Sequence, residues 1–132
     1  MYCSHYSMEH LKIMAGIKNL TIDKGSTFNI LFTWSTKDIN NVKTPVNLTG
    51  WTARSQMRES HDAATAVVSL TTENSGIVLG GSSGTVQLSI AATATSAITI
   101  DKGVWDLEMV DGTGKVTRLL EGSVTFKPEV TR

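Results

Sequence analysis

The chain has 132 residues, 40% of them hydrophobic, and twelve Lys and Arg balance twelve Asp and Glu to a net charge of zero. Such a length makes one domain, able to bury roughly two-thirds of the surface its unfolded form exposes without a metal or disulfide staple. A balanced charge supplies no overall field to gather nucleic acid or an anionic membrane, and no apolar stretch approaches the ~20 residues of a membrane span. The single cysteine, Cys3, excludes an internal disulfide. The first 25 residues lack the basic start and unbroken apolar core of a secretion signal, so the protein is expected to be made and kept in a reducing cytoplasm, or released by a route other than signal-peptide export. Without a secretory route, the sequons at Asn19-Leu20-Thr21 and Asn47-Leu48-Thr49 are chance strand-edge sequences.

Residues 1–13, MYCSHYSMEHLKI, hold Cys3, His5, His10 and both tyrosines but no glycine, unlike all that follows. They are expected to form an arm, disordered or a short helix, ahead of a domain over residues 14–132. Met14 opens a run of small residues typical of a start, which makes the arm an upstream-start extension; the rival is an arm that docks on a neighbouring subunit. From Ile17 strands recur at short, regular spacing. Residues 17–23 form an extended run ended at Lys24-Gly25-Ser26. Residues 27–34 alternate, with Phe28, Ile30, Phe32 and Trp34 on one face.

Residues 35–44 are mostly polar, and Asp38-Ile39-Asn40-Asn41 is expected as a loop ended by Pro45. In residues 51–59, Trp51, Ala53 and Met57 face inward and Thr52, Arg54, Gln56 and Arg58 outward. A turn at Ser60-His61-Asp62 precedes strands at 66–71 and 77–79, which are separated by Glu73-Asn74-Ser75-Gly76. Residues 80–84 suit a hairpin loop, and Thr85–Ile90 turns Val86, Leu88 and Ile90 inward. The small side chains of residues 91–100 suit one helical turn crossing between sheets, as a Greek-key sandwich requires.

The chain closes in a hairpin whose strands flank Asp111-Gly112-Thr113-Gly114. Trp105, Leu107 and Met109 oppose Asp106 and Glu108 on the first strand. Val116, Leu120, Val124 and Phe126 are the inward residues of the second, with Gly122 as a bulge or bend and Arg118 ill-fitting on their parity. The sum is an all-β antiparallel β-sandwich of about seven to nine strands.

No constellation for catalysis emerges. His5 and His10 lie in the arm, and His61 sits in a turn whose neighbours Ser60 and Asp62 point away from it. Asp106 and Glu108 share a strand face at a spacing of about 6.5–7 Å, open in principle to acid/base work; cross-strand pairing on an exposed face, with Lys115 and Thr117 as the partners across the hairpin, is the plainer expectation. The Asp111 turn has one carboxylate where a calcium loop needs several. Cys3, His5 and His10 lack the paired spacing of a structural zinc site. No cofactor and no metal are expected. Trp34, Trp51 and Trp105 fall on the inner face, with Trp51 the one able to sit at a rim and stack on a sugar.

The succession LTIDKGSTF, TPVNLTGWTARSQMRES, SGIVLGGSSGTVQLSIAATATSAI and GVWDLEMVDGTGKVTRLLEGSVTFKPEVTR resembles the immunoglobulin-like N-terminal domain of tailed-bacteriophage upper baseplate proteins. The likeness covers residues 17–132. It implies an immunoglobulin-like fold and a non-enzymatic virion structural role, in the baseplate, tail or fibre attachment or as a head decoration. It further implies a protein made in the host cytoplasm, present in multiple copies and held by other virion proteins, with no nucleic acid and no membrane as partner. Baseplate proteins of this kind usually continue past the sandwich, which leaves room for an accessory or decoration role. The alternative is a carbohydrate-binding sandwich for host-surface recognition. Loops at sandwich ends commonly carry recognition, which singles out Asp38, Asn40, Asn41, Ser82 and Ser83, with Arg54, Arg58 and Arg132, as candidate partner contacts.

Overall fold

The structure, a computed structural model, describes residues 15–131; the arm at 1–13 and Arg132 lie outside the described residues. The elements are β1 (Gly16–Ile17), β2 (Leu20–Asp23), β3 (Phe28–Thr33), β4 (Ser35–Lys37), β5 (Lys43–Pro45), β6 (Thr52–Arg58), β7 (Val68–Thr71), β8 (Ile77–Leu79), β9 (Thr85–Ile90), α1 (Ala92–Ser96), β10 (Lys102–Val110) and β11 (Val116–Lys127). A 3-10 turn at Gly81–Ser83 joins β8 to β9.

A six-stranded sheet runs in the order β1-β11-β10-β6-β7, with β2 also on β11; a three-stranded sheet runs β3-β9-β8; β4 and β5 form a separate two-stranded ribbon. The two larger sheets hold the expected number of strands, and the ribbon is additional. Their apolar faces share one core, in which Phe32 of the small sheet stacks on Trp105 of the large one at 6.2 Å between ring centroids. Helix α1 carries the chain from β9 in one sheet to β10 in the other, the crossover that the small residues of 91–100 suggest.

Four expectations need correction. The expected loop at residues 38–41 is the turn of a hairpin whose flanking strands, β4 and β5, the polar composition does not predict, and Pro45 ends β5 on the exposed ribbon, where its missing N–H breaks no central ladder. The first extended run is two strands, and both lie parallel to β11. Since β2 leads into the opposite sheet and not through a tight turn to β11, nothing forces an antiparallel sense.

The other two corrections concern β11. Leu107 pairs with Leu120 while Glu108 pairs with Arg118, so the register slips at Leu119. That bulge turns both Leu119 and Leu120 into the core and reverses the parity of what precedes it. Val116 is therefore 46% exposed instead of inward, and Arg118 sits properly on the outer face. Gly122 is not the bulge. It answers a close approach: a Cβ there would stand 2.2 Å from the Lys18 carbonyl oxygen. That carbonyl, in the break between β1 and β2, accepts the Trp105 indole N–H at 2.7 Å.

Two consequences can be measured by denaturant unfolding. Gly122→Ala forces Lys18 away from the sheet and should cost about 1–3 kcal/mol, as overpacking does. The Trp34 indole nitrogen, buried without a hydrogen-bond partner among the described residues, provides the contrast. Trp105→Phe strands a carbonyl while Trp34→Phe loses no bond, so the first should destabilise by about 1 kcal/mol more than the second.

Candidate functional site

Strand β10 lies between β11 and β6, and its outward residues meet partners on both sides. One cross-strand row is Arg118, Glu108, Arg54; the next is Glu121, Asp106, Gln56. Arg54 Nε bonds Glu108 Oε1 at 2.7 Å. Arg118 spans three carboxylates, at 3.7 Å from Asp106, 3.9 Å from Glu108 and 3.5 Å from Glu121. The carboxylates of β10 are thus paired with Arg118 and Arg54, not with Lys115 and Thr117. The bulge decides this, because it turns Thr117 to the other face, opposite Met109. Arg58 is also engaged, donating to the Ala63 carbonyl at 2.8 Å and to Gln56 Oε1 at 2.9 Å. Ser55 points into the core, where its hydroxyl donates to the Asp106 carbonyl at 2.6 Å.

Asp106 is the one member of this group pushed above its ordinary value of 3.8, by burial first and by Glu108 next, with Arg118 pulling the other way. It lies in a shallow depression of about 250 Å3 with Gln56, Arg58, His61, Arg118 and Glu121. The loop that follows β6 brings His61 here, but no hydrogen bond joins it to a carboxylate among the described residues. The site offers a charged, mixed-sign surface. Among the described residues no group of His, Cys, Asp and Glu could hold a metal ion, and no helix is long and apolar enough to cross a membrane.

The loop residues singled out from the sequence divide by role. Asp38 Oδ1 accepts the backbone N–H groups of Asn40 at 2.8 Å and Val42 at 2.9 Å, and Asn41 adopts a left-handed φ of 63°. These polar residues build the tip of the β4-β5 hairpin. What the tip presents is apolar: Ile39 is 89% and Val42 56% exposed. The sequence signal for this pair is an i, i+3 spacing of aliphatic residues inside an otherwise polar loop. Ser83 turns back onto the Gly80 carbonyl at 2.9 Å, while Ser82 is exposed. Arg132 falls outside the described residues.

The hairpin is rooted firmly. Trp34 N–H donates to the Gly84 carbonyl at 2.8 Å and Val46 N–H to the Trp34 carbonyl at 2.9 Å. Gly84 has a φ of 71°, and a Cβ there would stand 2.6 Å from that Trp34 oxygen. Trp51 is half-buried and meets Trp34 edge-on at 5.5 Å, whereas Trp34 and Trp105 are buried.

The small sheet differs from the charged outer face of the large one. Its outward residues are Asn29, Leu31 and Thr33 from β3, Thr85, Gln87 and Ser89 from β9, and Val78 from β8, with no ionisable group among them. Leu31, Gln87 and Val78 form one row, whose two aliphatic ends are 55% and 54% exposed. On the flank, β8 covers only part of β9, and a groove of about 500 Å3 opens beneath it. Val67, Val68, Leu70, Ile90, Ala91 and Ala94 supply its apolar lining.

No protein-family model matches this chain, and no curated protein matches it.

The folded chain holds the Asp106 proton more tightly than the unfolded chain does. Its contribution to stability therefore falls as pH rises from 3.8 through the raised value. Asp106→Asn lacks this cost: it should unfold at higher denaturant than the parent at pH 7, with the gap closing as pH drops below 3.8. Asp111 is the opposite case. Its carboxylate accepts from the Thr113 hydroxyl at 2.6 Å and from the Thr113 and Lys115 amides, and these bonds hold it below 3.8. Its support is present above 3.8 and lost as pH falls through the lowered value. Asp111→Ala should accelerate hydrogen exchange at the Lys115 amide while leaving core amides unchanged.

Proposed function

We propose that this chain is a non-enzymatic structural subunit of a tailed-bacteriophage particle, with an immunoglobulin-like fold, acting through contacts with other virion proteins. The strand order supports the finer fold assignment. One sheet of three strands, β3-β9-β8, and one in which the last strand and its predecessor, β11 and β10, are followed by β6 and β7 correspond to the two sheets of an immunoglobulin domain, with β7 as an added strand. The strand and turn pattern of residues 17–132 supports the viral role.

The observation that carries the contact function is the contrast between the two outer faces. On the large sheet Arg54, Arg118, Asp106, Glu108 and Glu121 are paired with one another. The small sheet offers an uncharged face with Leu31 and Val78 exposed, bounded on both sides by strands whose outer edges have no neighbour in the sheet among the described residues. Depletion of charge with aliphatic exposure is what a protein partner covers, and open edges accept an added strand.

Mass spectrometry of purified, protease-treated particles should find the chain in stoichiometric amount; its absence would overturn the reading. Leu31→Lys should cut incorporation at least about tenfold, the scale of one buried aliphatic side chain. Because Leu31 faces solvent in the isolated chain, its stability should stay within about 0.5 kcal/mol of the parent.

A further inference from the structure

Strand β3 leaves half of its backbone groups unused. The Trp34 N–H donates to the Gly84 carbonyl, whereas the Thr85 carbonyl and the Ser89 N–H of β9 bond Gly80 and Gly76, at the two ends of β8. Such pairs alternate along an antiparallel ladder, so the register turns the N–H and C=O of Phe28, Ile30 and Phe32 to β9 and those of Asn29, Leu31 and Thr33 out of the sheet. No strand meets these outward groups among the described residues. The β4-β5 ribbon leaves them clear as well. Val46 N–H bonds the Trp34 carbonyl, which faces β9, and this sets β5 on the β9 side of β4.

The edge is unlike the others. Edge strands are ordinarily kept short, charged or interrupted by proline, which discourages pairing with another chain. Accordingly β7 and β8 are four and three residues long, β2 ends in Asp23, and the ribbon carries Lys37 and Pro45. Strand β3 has none of these guards: it is six residues long, its register runs without a bulge, and from Gly25 to Thr36 the chain has no ionisable residue and no proline. Phe28 and Ile30 pack against the core yet stay half-buried at this open side. An uncharged edge of this kind does not repel its own copy.

The strand also fits itself. When FNILFT lies antiparallel to a second FNILFT about a two-fold axis at Leu31, Leu31 meets Leu31 and Asn29 meets Thr33 in both directions on the outer face. On the inner face Ile30 lies against Phe32 of the second copy. Every outward N–H then finds an outward C=O. Moving the axis to Ile30 sets Asn29 against Leu31 and carries Thr33 past the end of the facing strand. We infer that two copies of the chain pair through β3, antiparallel about Leu31, and join their three-stranded sheets into one. The contact is isologous and stops at a pair. Its small size makes it weak between free molecules and stronger where copies are tethered together. The inference deepens the contact role proposed above by naming a second copy as a partner of the uncharged sheet, and it rests on that reading for its setting.

Sedimentation velocity on the full chain should show a mass rising from one chain towards two and no further, with its midpoint below about 1 mM. Over the same range amide hydrogen exchange should slow at least about threefold at Asn29, Leu31 and Thr33, and stay unchanged at Ile77 and Leu79, whose amides point out of the other edge. Leu31→Lys sets two like charges face to face, and Thr33→Pro removes an outward N–H while leaving the ladder to β9 whole; each should weaken pairing about tenfold or more. Val42→Lys, at a residue as exposed as Leu31 but on the ribbon tip, should pair like the parent. Circular dichroism melts verify folding, and the two β3 variants act through different groups, so loss of one to misfolding leaves the other decisive. A monomeric parent, protection of β3 that ignores concentration and so comes from the same chain, protection of β8 instead, a folded β3 variant that pairs like the parent, or loss of pairing in Val42→Lys would each overturn the inference. Particle content separates the two proposals. A monomeric chain found in particles rejects the β3 pair alone, and a pairing chain missing from particles rejects the virion role alone.

Discussion

One extra residue in the last strand fixes the rest of the large sheet. At Leu119 the register between β10 and β11 slips, and the strand changes the side it shows to the core. Without the slip, Arg118 would point inward beside Met109, and a charge with no partner would have to be buried at a cost of several kcal/mol. With it, two consecutive leucines fill the core and Arg118 reaches three carboxylates. The row of Arg118, Glu108 and Arg54 and the pairing of the closing hairpin follow from that single insertion.

Much of this fold was legible because period-two alternation is a local property. From Phe28 to Trp34 and from Thr85 to Ile90 each residue type reports its own face, and the turns at Gly25, Ser75 and Gly114 fall where left-handed backbone is needed. The bulge was not legible. Leu119 and Leu120 are both apolar, so either could have continued the pattern, and the misfit of Arg118 was the sole trace. The parallel sense of β1 and β2 was hidden for a different reason: alternation states which side faces the core and says nothing about the direction of the neighbour. Gly122 resembled a bulge since glycine marks both a bend and a close approach, and only the position of the Lys18 carbonyl separates the two.

The loop tips were legible as exposed positions, and what their side chains do was not. Polar loops suggest recognition, and residues 38–45 do project, yet Asp38 and Asn41 are occupied in shaping the turn. The side chains that the tip leaves exposed include the aliphatic Ile39 and Val42. Arg54 and Arg58 looked available because the sequence shows charge and not its partners; Arg54 is paired with Glu108, and Arg58 donates to the Ala63 carbonyl in the loop after β6. The uncharged face of the small sheet was latent in the alternate residues of β3 and β9. Its meaning needed the contrast with the other face, which depends on which strands share a sheet.

The parallel seating of β2 on β11 has a mechanical side. Four residue pairs, from Leu20 with Val124 to Asp23 with Lys127, join strands that enter from opposite ends of the chain. Tension drawing the two termini apart runs along these strands and loads their hydrogen bonds together in shear, where a hairpin would unzip them one at a time. A domain fastened this way resists stretching at its ends far better than its modest length of pairing suggests, a useful property wherever it bridges parts that pull against each other.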